Sequence, residues 1–390
     1  MATLALLVAA GLLGPLLAMP RRLGLPVIVG EILAGIIIGP HGTHWLNPNH
    51  EIATVLHDAG FALLMFIVGL HLPVRDRTLY TGLRRGIAAT AVSVVGAIGL
   101  GLLIAHTSGL GHPAAIATVL ATSSAAIAMP ILREGGSKGE VSGPRAAAAA
   151  WILFADIATV LALPLVAHTG PVYRVILASL ALTALAGIAV LIYHFANRST
   201  HWDTIRHESK AHEWGLDLRI ALTLVFAFTW LAGKLGTSVL VAGFAAGVAV
   251  AFSGHVPKRL IQQLVGVGEG FLIPIFFVVL GANLDIGALG QPKHLLLAAE
   301  LLLGTVIAHV VAARVASEAI GVGLVATAQM GVPAALVTIG QAQHWMAPGV
   351  GAAFMAAALA SIGTSSLGNV LLRRYAPPAK PAVAESTSFD

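Results

Sequence analysis

Apolar residues run for about twenty positions at a time along almost the whole chain, and short loops rich in Gly, Pro, Asn and His separate the runs. A bilayer hydrocarbon core needs roughly 20 apolar helical residues, and fewer where a helix is broken inside the protein. The pattern predicts thirteen membrane-spanning helices, near 2–20, 25–40, 53–73, 84–105, 112–131, 146–167, 172–195, 216–233, 236–253, 267–284, 294–313, 318–342 and 347–372. One sizeable polar insertion, 197–215, interrupts them, and a Pro-, Ala- and Ser-rich tail follows the last. The expected fold class is therefore all-α and polytopic. Residues 1–372 form the transmembrane domain and 373–390 a short cytoplasmic tail.

Composition closes off the other classes. Of the 390 residues 57% are hydrophobic and 10% charged, against about 25% charged in a soluble domain. The 43 glycines and 19 prolines lie inside apolar runs, which excludes a disordered chain. Without cysteine there is no disulfide framework. Only 22 Lys and Arg supply the net charge of +5, and they form no dense stripe, so nucleic acid is not an expected partner. The expected partner is the lipid bilayer.

Charge also tests the span count. No Lys or Arg precedes Arg21, so the first run lacks the basic region of a signal peptide and reads as a span whose free end is outside. Thirteen crossings then leave Arg174, Lys234 and Lys293 outside, and every other basic residue, from Arg21 and Arg22 to Arg373, Arg374 and Lys380, inside. One missed crossing would invert every later loop, so this asymmetry supports the count and a cytoplasmic C-terminus. A multi-pass protein of a bacterial inner membrane is expected.

The order of the spans suggests a repeat. Span 2, LPVIVGEILAGIIIGP, and span 9, GTSVLVAGFAAGVAVAFSG, are both short and rich in closely spaced Gly and Ala. Spans 3 and 10 both end on an aromatic, glycine and leucine pattern. Two sets of six helices around one linking helix, a 6+1+6 arrangement, run in opposite senses through the bilayer, as in many secondary transporters. Two spans look discontinuous at equivalent places. Thr122, Ser123 and Ser124 precede Pro130 in span 5, while Thr327 and Gln329 precede Gly331 and Pro333 in span 12. Ser and Thr compete for backbone bonds and Pro removes a donor, so unwinding there would expose carbonyls and helix ends to an ion. Simple bending for packing is the other reading.

Span 6 places Asp156 near its middle with no charged neighbour. A carboxylate there is costly, can exchange a proton near neutral pH, and is a hard oxygen ligand for Na+ or K+. A structural aspartate bonded across helices is the alternative. Glu31 in span 2 and Glu269 in span 10 lie nearer helix ends and read as packing, gating or local bonding. Glu300 and His309 share span 11 but fall on roughly opposite faces. His309 could titrate and alternately pair with Asp156, or be a neutral packed histidine. Asn283 and Asp285 suit either a cation vestibule or turn capping. Histidines such as His41, His44, His50 and His57 fall on the assigned outer side, where they could confer sensitivity to external pH, and no metal-ligand spacing is evident.

LPVIVGEILAGIIIGP, LHDAGFALLMFIVGLHL, ATSSAAIAMPILREGG, WILFADIATV and PIFFVVLGANLDI, in that order, resemble the monovalent cation:proton antiporter-2 branch of the sodium/proton exchanger superfamily. The resemblance covers about residues 5–372. It implies a homodimer, a scaffold of spans 1–3 and 8–10, and a mobile core of spans 4–6 and 11–13, with spans 5 and 12 crossing at the ion site. By position, Asp156 matches the essential ion- and proton-binding aspartate, and Thr122, Ser123 and Ser124 match the broken helix. Ala155 stands where relatives have Asp, Asn or Gln, which resembles an electroneutral exchanger. His309 stands where relatives commonly keep Lys or Arg, and AQMGVPAAL lacks the usual glutamate. Potassium-efflux relatives carry a nucleotide-binding domain after the membrane part, and no such fingerprint occurs in this chain.

The expected function is secondary antiport of Na+ or K+ against H+ through Asp156, with no enzyme activity and no cofactor beyond the transported ions. An uncoupled cation path, a carrier of another solute, and a non-transporting membrane partner or sensor are the alternatives.

Overall fold

The computed structural model describes residues 1–18, 27–70, 77–134, 144–167, 172–196, 204–205, 207–209, 212, 214–235, 239–252 and 258–374. The basic loop residues Arg21, Arg22, Arg75, Lys138, Arg198, Arg206, Lys210 and Lys380 lie outside them, as do most of the polar insertion and residues 375–390.

Among the described residues the chain is helical, with no strand. In chain order the helices are α1 (Ala2–Gly11), α2 (Leu13–Ala18), α3 (Val27–Ile38), α4 (Glu51–Leu70), α5 (Arg77–Ser108), α6 (Pro113–Ala121), α7 (Ala125–Glu134), α8 (Pro144–Ala167) and α9 (Val172–Ala196). After the insertion come α10 (Leu216–Lys234), α11 (Val239–Phe252), α12 (Lys258–Val267), α13 (Ile273–Ala282), α14 (Ile286–Leu289), α15 (Pro292–Val315), α16 (Ile320–Val325), α17 (Gly331–Ala342) and α18 (Pro348–Arg374). Among the described residues seven helices are long and apolar enough to cross a membrane. Several of the others are shorter apolar helices, including α3 and α17.

Local chemistry sets the ends. Proline opens α6, α8, α15 and α18, where its missing N–H costs nothing and its fixed φ suits the first turn. Asp285 caps α14 by accepting from Ala288 N at 2.8 Å. Helices α12 and α13 are one continuous rod joined by a π turn at Gly268–Leu272. Pro274, just beyond, has no N–H to donate back along the helix and its ring crowds the preceding turn, so the bonding register widens there.

Packing rests on small residues. A Cβ on Gly35 of α3 would run into the Val278 carbonyl of α13, and one on Gly281 of α13 would run into the Ile32 carbonyl of α3. The pair α4 and α11 meets the same way, through Gly69 against Phe244 and Gly247 against Phe66. Such close backbone contact is the usual means of helix association where lipid is as apolar as leucine. On the other side, α5 packs on α6, α8 and α15, and α18 packs on α15, α16 and α17. Trp151, Phe66, Phe276, Phe277 and Phe354 are the largest fully buried side chains.

Overpacking these contacts is costly. Gly281→Ala should lower stability by about 2 kcal/mol, read as a fall in the thermal midpoint of the purified protein in detergent. Gly187 of α9, with nothing within 4 Å of its notional Cβ, should accept Ala without loss; equal midpoints for both variants would contradict the packing account.

Candidate functional site

Two helices stop inside the protein. α6 ends at Ala121, Thr122 turns to extended geometry (φ −73°, ψ 147°), and α7 starts at Ala125. α16 ends at Val325 and α17 starts at Gly331. The unwound segments touch, because Ser124 N–H donates to the Ala328 carbonyl at 2.6 Å. Of the residues read from the sequence, Thr122, Ser123, Ser124, Thr327 and Gln329 all lie in these segments, and all five are buried. Pro130 lies beyond the first break, within α7, and its side chain is outside the described set.

Asp156 faces the first break from α8. It is 9% exposed, and its Oδ2 accepts from Ala125 N at 3.0 Å. Ala125 opens α7, so the carboxylate meets a helix N-terminus, whose free N–H groups and dipole favour negative charge. One turn on, Thr159 pairs its hydroxyl with that of Thr122 at 2.6 Å and reaches the Ala155 carbonyl at 2.7 Å. A small cavity of about 30 Å³ lies in front of the carboxylate, lined by Asp156 and Ser124 together with Met65, Phe277, Met330 and Gly331. It has room for a water or one dehydrated monovalent cation.

The second break is built on the same plan. Thr327 and Thr364 pair their hydroxyls at 2.5 Å, with the sequence separation of 37 that also divides Thr122 from Thr159. The shift that carries Thr122 to Thr327 and Thr159 to Thr364 carries Asp156 to Ser361. Ser361 is fully buried, and its hydroxyl oxygen accepts from Gln329 N at 3.2 Å. Ser365 donates to the Val325 carbonyl at 2.8 Å, which satisfies an acceptor freed at the end of α16.

Thr159, Thr305, Ser361 and Thr364 were not among the residues read from the sequence. The signal was present as a hydroxyl three residues after Asp156 and the spaced hydroxyls of SIGTSS at 361–366.

His309 on α15 is wholly buried, stacked on Trp151 with ring centroids 5.4 Å apart. Its Nδ1 is 2.9 Å from the Thr305 carbonyl, which only accepts, so Nδ1 carries a proton. Gln329 donates from Nε2 to Thr305 Oγ1 at 3.0 Å. His309 therefore bonds within its own helix and not to Asp156, whose bond runs to α7. Among the described residues, Ser123 Oγ, Trp151 Nε1, His309 Nε2 and Gln329 Oε1 are buried without a hydrogen-bond partner.

The remaining candidates lie elsewhere. Glu31 is buried on α3, beside Gly14 of α2. Glu269 is exposed in the π turn, and Glu300 is half-buried on α15. Asn283 ends α13 and donates from Nδ2 to its own helix at Val279 O, 3.0 Å. Asp285 serves as the cap of α14, with His41 Nδ1 at 3.6 Å from the same Oδ1. Among the described residues no group of three or more His, Asp or Glu is placed to hold a metal.

The chain is similar to several known proteins. The family described as sodium/hydrogen exchanger, transmembrane, matches residues 7–373. YjbQ of Bacillus subtilis, named as a candidate Na(+)/H(+) antiporter, is 29% identical over 97% of this chain and 64% of its own length. The glutathione-regulated potassium-efflux system protein KefC of Salmonella typhi is 32% identical over 77% of this chain and 48% of its own. The chain thus spans about half to two thirds of these relatives. The sodium proton antiporter MjNhaP1 of Methanocaldococcus jannaschii shares the fold, with TM-scores of 0.61 and 0.63 over 95% of this chain at 16% identity.

The paired hydroxyls should hold the first break in place. Thr159→Val keeps the shape but leaves the Thr122 hydroxyl without its partner, at a cost of about 1–3 kcal/mol. Amide exchange at Ser124 and Ala125 should quicken in the variant, and unchanged exchange there would exclude the hydroxyl pair as what fixes the segment.

Proposed function

The chain belongs to the transmembrane sodium/hydrogen exchanger family, and from that premise we propose that it exchanges Na+ or K+ for H+ at the single carboxylate of Asp156. The observation that carries the proposal is the setting of that carboxylate. It is buried, it meets the first N–H of α7, and it borders a cavity of about 30 Å³.

A carboxylate in such a place accepts a proton or a metal cation, but not both together. The bound cation would take Asp156 and neighbouring hydroxyl or carbonyl oxygens of the unwound segment as ligands. Because Ala155 adds no second carboxylate, each cycle carries one positive charge in either direction and the exchange is electroneutral. The chemistry is displacement of one ion by another at a fixed group, with no covalent step.

Coupling requires that the site change sides only when occupied. The cavity lies between α3, α4 and α13 on one side and α7, α8 and α17 on the other. We assign α1–α4 and α10–α13 to a scaffold, α5–α8 and α15–α18 to a mobile core, and α9 to the link. In this reading α1/α2, the broken pairs α6/α7 and α16/α17, and the rod from α12 to α13 each count as one crossing and the four-residue α14 as none, giving thirteen in a 6+1+6 inverted repeat. Two matched packings support the repeat: α3 on α13 and α11 on α4 exchange under it, as do the threonine pairs at the breaks. The N-terminus would then lie outside, the C-terminus in the cytoplasm, and two scaffolds would meet in a homodimer in a bacterial inner membrane.

Asp156→Asn should reduce cation-dependent proton flux in proteoliposomes to that of protein-free vesicles, with folding intact by thermal midpoint. Flux at the wild-type level would defeat the assignment. A sustained current under an imposed voltage, in place of saturable and voltage-insensitive exchange, would indicate an uncoupled cation path instead.

A further inference from the structure

The Asp156 carboxylate is held by a chain of bonds that begins in the other half of the molecule. Its Oδ2 accepts from Ala125 N at 3.0 Å. The preceding N–H, that of Ser124, donates instead to the Ala328 carbonyl at 2.6 Å. Two successive peptide groups are thus pinned, one to each half. The two units meet at the Cα of Ser124, so the bond to Ala328 O fixes one side of that residue and leaves only its φ and ψ to set the Ala125 N–H toward Asp156.

Ala328 O has little helical support of its own. It belongs to the unwound stretch between α16 and α17. Three anchors fix that stretch from outside. Thr327 bonds Thr364, the Gln329 side chain bonds Thr305, and the Gln329 backbone N–H donates to Ser361 Oγ at 3.2 Å. The last holds the peptide joining Ala328 to Gln329, the unit that carries the Ala328 carbonyl. Ser361 has its own proton committed to the Ala358 carbonyl at 2.6 Å, so its lone pair is directed at Gln329 N.

We propose that Ser361 is a positioning residue for Asp156, acting through the Ala328–Gln329 peptide and the Ser124 and Ala125 N–H groups. It occupies the place in the second half that Asp156 holds in the first, and each receives a backbone N–H from the adjacent break. One half keeps the charge while its counterpart keeps a neutral acceptor that orients the donor to that charge. The proposal rests on the reading of Asp156 as the exchange site.

The test compares wild type, Ser361→Ala, Ser361→Thr and Asp156→Asn in proteoliposomes. Ser361→Ala leaves Gln329 N–H without its acceptor and should raise the half-saturating cation concentration about fivefold, with the maximal rate nearly kept. Ser361→Thr retains the hydroxyl and should restore the wild-type value. A second readout needs no turnover: the infrared carboxyl band of Asp156, identified by its loss in Asp156→Asn, should shift in Ser361→Ala and return in Ser361→Thr. Should Ser361→Ala fail to fold, Ser361→Cys, with a weaker acceptor of similar size, takes its place. A lowered thermal midpoint with unchanged cation dependence and an unmoved band would make Ser361 structural only and overturn the proposal. If Asp156→Asn itself retains full flux, the exchange reading fails, and that result is distinct from the first.

Discussion

Everything at the centre of this protein depends on one bond across the two breaks, from Ser124 N–H to the Ala328 carbonyl. Inside a bilayer a backbone group that leaves its helix has no water to turn to, so irregular chain survives only where protein replaces the lost partner. Here each unwound segment supplies a partner to the other. The threonine pairs, Ser361 and Ser365 then take up further groups released at the helix ends. A helix terminus can thereby face Asp156 deep within apolar surroundings.

The glycine contacts serve the same end from the other side of the cavity. α3 and α13 cross so closely that carbonyl meets Cα, and so do α4 and α11. The two tight pairs make a rigid wall, faced by Met65 and Phe277, against which the broken helices lie. Close approach in the wall and unwinding at the breaks are opposite departures from ordinary helix packing. Both were written in small and hydroxyl side chains, with charge almost absent.

The sequence made some of this readable and hid the rest for physical reasons. Thr122 to Ser124 and Thr327 to Gln329 announced the breaks, because polar residues followed by proline at matched places in two spans compete with the helix's own bonds. Asp156 stood out because burying a carboxylate in a bilayer is costly. Thr159, Thr305, Ser361 and Thr364 did not stand out, since a hydroxyl in a membrane helix can bond its own preceding turn, and each of these does so as well. Only the spatial pairing separates the two uses. His309 shows the same limit: its place in span 11 allowed an approach to Asp156, and its Nδ1–H donates instead to the carbonyl of Thr305 one turn away.

The π turn at Gly268–Leu272 bears on how this chain is compared with others. A wider turn accommodates one more residue than an α-helix would over the same length, and one residue corresponds to about 100° of rotation. Every side chain of α13 therefore points where it does because of that extra position, including Gly281, which must face Ile32. A relative whose helix is regular here would need a one-residue gap in its alignment. Aligned without it, each position after 272 would be matched to one about 100° around the helix, and the glycine that meets Ile32 would fall opposite a residue with a different contact.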